Sequence, residues 1–213
     1  MNPIVFAWIA SITFGFYAVV AKLIGKYQLK NSYQFSFFST LFGGILMALI
    51  AYANGGRLAT QWMFIVLAAV FLALGNTLYL MTLKVLDVSV MGPLYNFRSV
   101  ITVILGVLLL QEATSFQAVA LIAVIIFSGF FATMDERFSL KSFFSKSIFV
   151  GLLYMIVSSI QTILINRAVD QTDYWTAVLW MGLLAIIFCF IFLYPKFKKD
   201  LSKSRLSDYR GVA

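Results

Sequence analysis

Residues Asp87 to Glu112 read DVSVMGPLYNFRSVITVILGVLLLQE. From Val88 to Leu110 the stretch is apolar and long enough to cross, as a helix, a hydrocarbon core of about 30 Å. It also carries Gly92-Pro93 near one end and a lone arginine, Arg98, close to its middle. A charge at that depth is costly, so Arg98 is expected to face protein or a water-filled cavity rather than lipid. On this reading the rest of the chain is the wall around that helix.

The composition says the same of the whole molecule. The 213 residues are 62% hydrophobic, 17% aromatic and 11% charged, against about 25% charged in a soluble domain. A lipid bilayer is therefore the first partner. The net charge of +8 does not point to nucleic acid, because the basic residues flank the apolar runs and form no face of their own. Cys189 is the single cysteine, which excludes an internal disulfide, and it is expected to be a small buried hydrophobe. Histidine is absent, which removes His-based triads and most zinc chemistry. No catalytic residue, metal site or cofactor is expected, and the chain does not read as an enzyme.

Taken in order, the apolar runs predict an all-α integral membrane protein of about seven transmembrane helices. They are Pro3–Ala21, Tyr33–Ala53, Trp62–Met81, Val88–Leu110, Gln117–Thr133, Ile148–Ile165 and Trp175–Tyr194. Lys22 is expected to end the first, Asn54-Gly55-Gly56-Arg57 to turn the chain after the second, and Pro195 to end the last. Beyond Pro195 the sequence KFKKDLSKSRLSDYRGVA reads as a basic amphiphilic segment with no core of its own. In the second span Ser36, Thr40, Gly44 and Ala48 recur every four residues, a stripe that lets helix backbones approach closely in lipid. Thirteen of the sixteen lysines and arginines follow the odd-numbered spans, while Arg57 and Arg167 lie on the opposite side. The positive-inside rule then places the N-terminus outside and the basic tail in the cytoplasm.

A shift of about 145 residues lays Trp8–Lys22 over Leu153–Arg167, each an apolar span closed by a basic residue. The shift skips an odd number of spans, so the two copies would lie in opposite orientations, as in many secondary transporters. The division expected is 1–133 as a five-helix repeat, 134–147 as a linker, and 148–213 as the first two helices of an inverted second repeat with a basic segment. Gly211-Val212-Ala213 reads as the start of an eighth span.

Several features in order resemble an EamA-type repeat of the drug/metabolite transporter superfamily. They are Phe14-Gly15 with Lys22, Leu83-Lys84, Gly92-Pro93-Leu94, Leu105-Gly106, Leu109-Leu110-Gln111-Glu112, Ala113–Gln117, and Ser128-Gly129 in the fifth span. The likeness covers Met1 to about Thr133 well and Ser147–Tyr194 loosely. It implies two five-helix repeats around a central cavity that moves small metabolites or amphipathic compounds by alternating access. It further implies a multi-pass protein of a prokaryotic plasma (inner) membrane, with a homodimer left open. Family members have ten spans and a cytoplasmic N-terminus, so the resemblance and the charge distribution give opposite orientations.

Candidate substrate-binding residues follow from polarity at depth. Arg98 reads either as a cavity cation for an anionic or zwitterionic substrate, or as a structural group bonded to neighbouring helices. Tyr95, three residues earlier, shares its face; Asn96 points elsewhere. Asn76 and Tyr79 form the next pair, and Asn76, like Gln161, has the alternative of bonding across to a neighbouring helix. Trp8 and Tyr17 either line an aromatic cavity or anchor span ends at the interface, as does Trp180. Glu112 reads as a helix-end residue. All eight carboxylates fall at span ends, in loops or in the tail. The expected substrate is therefore neutral, zwitterionic or anionic, with transport by exchange or facilitated movement. The competing expectation is a non-transporting membrane scaffold or assembly partner.

Overall fold

The computed structural model describes residues 3–27, 31–86, 88–110, 115–133 and 146–201. Among them are seven α-helices: α1 (Pro3–Tyr27), α2 (Ser32–Ala53), α3 (Met63–Val85), α4 (Val88–Leu105), α5 (Phe116–Thr133), α6 (Lys146–Gln171) and α7 (Tyr174–Leu201). All seven expected spans are thus helical. Five of them, α1, α2, α3, α6 and α7, are long and apolar enough to cross a bilayer. The apolar run described in α4 is the shorter Phe97–Leu109. Residues 111–114, with Glu112, residues 134–145 of the expected linker and the tail beyond Leu201 lie outside the described residues.

Local chemistry sets the helix ends. The Asn31 carboxamide oxygen accepts from the N–H groups of Tyr33 at 3.0 Å and Gln34 at 3.5 Å, capping α2. At the other end Gly55 adopts φ +96°. Its N–H donates to Tyr52 O, and that of Gly56 to Ala51 O, the paired bonds of a Schellman stop. Asp173 caps α7 by accepting from Thr176 N at 2.9 Å. The loop after α2 is fastened to that same turn, because Arg57 N donates to Thr176 Oγ1 and Trp180 Nε1 donates to Arg57 O.

Three ends differ from the sequence expectation. α1 runs past Lys22 to Tyr27, and Lys22 turns its ammonium onto the Leu86 carbonyl just beyond α3. The run Val88–Leu110 is not one α-helix: it passes into a π turn over Gly106–Leu110, where Arg167 donates to the Leu109 carbonyl. Finally, α7 continues through Pro195 to Leu201. The segment after Pro195 does own a piece of core, because Phe197 is 0% exposed and stacks on Phe37 with centroids 5.3 Å apart.

The hub is α3, not α4. It touches α1, α2, α6 and α7, and Ala68, Ala69, Ala73, Gly75 and Thr77 keep its flanks small and buried. Side-chain pairings fix the directions. Ile65 clusters with Ala168, while Tyr79 packs on Tyr154, so α3 and α6 are antiparallel. Phe37 meets Phe197 and Ala51 meets Leu179, so α2 and α7 are antiparallel as well. Ala68 clusters with Met181 and Ala73 with Leu193, so α7 runs parallel to α3. α4 lies outside this group against α6 and α5.

Candidate functional site

A cavity of about 320 Å³ opens between α1, α2, α3, α6 and α7, near the lower end of the usual range for small-molecule sites. Its residues fall near the middle of their helices: Tyr17 of α1, Gly44 of α2, Asn76 of α3 and Gln161 of α6. One wall is aromatic, built from Phe14, Tyr17, Tyr79 and Tyr154. Tyr79 lies among the other three, with ring centroids at 5.9 Å from Phe14, 6.0 Å from Tyr17 and 5.3 Å from Tyr154. The remaining wall includes Gly43, Gly44, Gly75 and Gly182, positions where backbone takes the place of side chains.

The polar groups differ in how much they have left to offer. Asn76 Nδ2 donates to Thr40 Oγ1 at 2.6 Å and reaches Ser36 O at 3.5 Å, leaving its carbonyl oxygen. The Tyr17 hydroxyl is paired with Ser39 Oγ at 3.1 Å. Gln161 makes no side-chain hydrogen bond among the described residues. Tyr79 is only 4% exposed, yet its hydroxyl has no hydrogen-bond partner among the described residues. A buried, unsatisfied hydroxyl costs free energy.

Of the seven residues singled out in the sequence, four line this cavity: Tyr17, Asn76, Tyr79 and Gln161. Tyr95 stands one layer behind, its hydroxyl bonded to that of Tyr154 and its ring edge-on to Phe14 at 5.4 Å. Arg98 is further back again. Its guanidinium donates to Thr162 Oγ1 at 3.1 Å and sits 5.9 Å from the Tyr95 ring centroid. Its carbonyl accepts from Ser159 and Thr102 hydroxyls, and it is not among the cavity-lining residues. Trp8 is 67% exposed on α1. The Asn96 side chain lies outside those described.

The sequence reading missed Phe14 as a wall residue, and Tyr154 altogether. The available signal for Tyr154 was its position seven residues, about two turns, before Gln161 on one helix face. The Ser36–Ala48 stripe is buried as expected and meets α7. Two of its members, Thr40 and Gly44, line the cavity as well.

The family model described as EamA-like transporter family matches residues 1–134. No curated protein and no solved structure matches this chain.

Proposed function

We propose, from the premise that this chain belongs to the EamA-like transporter family, that it is a secondary transporter whose substrate occupies the cavity bounded by α1, α2, α3, α6 and α7. Membership implies membrane transport of the drug/metabolite type by a multi-pass protein, a small-molecule substrate, and no enzymatic step. The observation that carries the site assignment is a mid-helix cavity of about 320 Å³ whose lining includes the Gln161 carboxamide, uncommitted among the described residues. In this reading Tyr17, Asn76, Tyr79 and Gln161 contact substrate. Tyr95 and Arg98 hold the Tyr154 wall from behind.

The organisation proposed is a repeat over 1–133, a linker over 134–147 and an inverted partial repeat over 148–213. Three facts support it. α1 and α6 have similar lengths, 25 and 26 residues. Asn31 and Asp173 cap the helices that follow them. The contact-derived directions of α2 and α7 are opposite, as inversion requires. Alternating access would then rock α6 and α7 against α2 and α3. The membrane is read as a prokaryotic plasma membrane.

The test is flux: the full chain reconstituted in liposomes should give saturable counterflow of a labelled neutral metabolite, reduced by substitution at Gln161. The scaffold reading draws on one observation, the exposed apolar face of α1, with Phe16 at 69% and Trp8 at 67%. Such a face suits a second copy of the chain. A reconstituted protein that self-associates yet supports no flux would favour the scaffold.

A further inference from the structure

Buried groups fill both ends of the bundle, while the cavity opens at its side. Toward the α2–α3 loop, Trp180 donates to the Arg57 carbonyl and meets Trp62 edge-on at 4.9 Å. It packs there on the buried Ile65–Ala177 and Ala51–Leu179 clusters. Toward the other end, Ala21, Phe35, Leu80 and Leu83 form one buried cluster. The side between α1 and α2 has no such seal among the described residues. The two helices meet at the Ala21–Phe35 cluster, and Tyr17 bonds Ser39 one turn further in. Beyond this bond they part: every residue of α1 from Ile4 to Tyr17 is exposed, around the whole helix. Next along each helix come Phe14 and Gly43, which line the cavity and are themselves exposed. A Cβ on Gly43 would meet nothing within 4 Å. By contrast, the lining residues of α3, α6 and α7 are buried or half-buried.

This mouth faces hydrocarbon. It lies near the middle of α1 and of α2, a depth at which the medium of a bilayer is acyl chains. Its flanks are apolar too, with Ile9 and Ile12 exposed on α1 and Phe42 and Leu46 on α2. At the rim, Tyr17 and Ser39 spend their hydroxyls on each other. The groups with capacity left lie further in: Gln161 is uncommitted among the described residues, and Asn76 keeps its carbonyl oxygen. No lining residue is charged, so a fully charged group would leave water without a counter-charge. The path thus runs from an apolar rim to a neutral, hydrogen-bonding interior. We propose that the cavity is entered sideways from the bilayer, through the α1–α2 gap, by a lipid-soluble amphipath. Its uncharged head group bonds Gln161 and Asn76 while its hydrocarbon tail lies in the gap. This rests on the reading of the cavity as the substrate site and adds its ligand class and route.

A polar metabolite that enters from water needs no tail, which separates the two routes. The full chain in nanodiscs is photolabelled with oleamide carrying a mid-chain diazirine, and the labelled residues are mapped by mass spectrometry. Saturable labelling of α1 and α2 beside the gap is expected, with competition by unlabelled oleamide. Butyramide, which has the same head and hardly any tail, should not compete. Oleate, with the same tail and a charged head, should compete less well than oleamide. Gly43→Phe places a ring at the mouth and should weaken binding about tenfold, within the range that overpacking a filled site costs. Gly15→Phe, on the exposed part of α1 and outside the cavity lining, should leave binding unchanged. Neither position has a neighbour within 4 Å, so both variants should melt with the native protein. Gln161→Leu should weaken binding about five- to tenfold, the usual worth of one neutral hydrogen bond.

Four results overturn the proposal, each at a different point. If butyramide competes as well as oleamide, and Gln161→Leu weakens binding while Gly43→Phe does not, the cavity remains the site and the lateral route is wrong. If oleate binds there more tightly than oleamide, the uncharged head is wrong. If residues beside the gap take no label, protein covers it, either another segment of this chain or a second copy. If labelling does not saturate, or is indifferent to both Gly43→Phe and Gln161→Leu, the probe reports lipid at the protein surface only, and the cavity reading falls with it.

Discussion

Gly44 of α2 and Gly182 of α7 meet backbone to backbone. A Cβ on Gly44 would lie 2.9 Å from the Gly182 carbonyl oxygen, and one on Gly182 would lie 3.1 Å from the Gly44 carbonyl oxygen. Because α2 and α7 are antiparallel, this contact joins the first part of the chain to the last at mid-helix, beside the cavity that both glycines line. In a bilayer, where helices gain little from excluding water, such close approach is a main source of association.

The two glycines should therefore not tolerate a methyl group equally. At Gly44 the added carbon also lies 2.8 Å from Ile186 Cγ1. Overpacking of this kind costs about 1–3 kcal/mol, and Gly44→Ala should lower the melting temperature in detergent. Gly182→Ala should cost less, since its contacts are longer. Gly15→Ala, with nothing within 4 Å, should leave stability unchanged or raise it slightly through better helix propensity. A Gly44→Ala protein as stable as the Gly15→Ala protein would contradict the crossing.

Arg98 invites a different comparison. Among the described residues, a neutral hydroxyl and an aromatic face are thin compensation for a guanidinium inside a membrane helix. Replacing the charge with a straight apolar chain, Arg98→Met, should leave the melting temperature unchanged or raise it. A fall of several degrees would mean that the Thr162 and Tyr95 contacts hold the α4–α6 packing.

These residues also show what the sequence made legible. Hydropathy located each of the described helices, because each turn of an unpartnered polar run would be penalised in lipid. Helix ends were another matter. Lys22 and Pro195 look like stops locally, yet α1 passes Lys22 because its ammonium finds Leu86 O, and α7 passes Pro195 because Phe197 finds Phe37. Neither partner is near in sequence. The same limit applied to the site. Tyr17, Asn76, Tyr79 and Gln161 stood out as polar groups at depth, and they do line the cavity. Arg98 stood out more, but one face of a helix does not reveal which neighbour covers it. Here α4 packs outside α6, so its arginine meets Thr162 instead of the cavity.

Acid should act on one helix end in a definable way. Asp173 is fully exposed, and bonds from the Thr176 hydroxyl and backbone N–H hold its carboxyl below the usual carboxylate range. A group whose pKa is lower in the folded state stabilises above its unfolded value and loses that contribution as pH falls through the folded one. Melting temperature should therefore drop on acidification below about pH 4. Asp173→Asn keeps an accepting oxygen without the titration, so it should flatten that part of the profile. Parallel acid profiles for the two proteins would remove Asp173 from the account.

The stretch after Pro195 gives the largest expected loss. Phe197 is 0% exposed, clusters with Ala73, Cys189 and Leu193, and stacks on Phe37 of α2. It therefore ties α7 to both α2 and α3 at the end of the bundle where Lys84 and Lys196 also lie. Truncating a buried phenylalanine costs about 3–5 kcal/mol, so Phe197→Ala should lower the melting temperature more than Phe192→Ala, whose ring is 48% exposed. Phe197→Leu should recover most of the loss, because it refills the space without restoring the stack. The comparison also tests the helix itself. If α7 ended at Pro195, Phe197 would lie beyond its reach to Phe37, and the two alanine substitutions would cost the same.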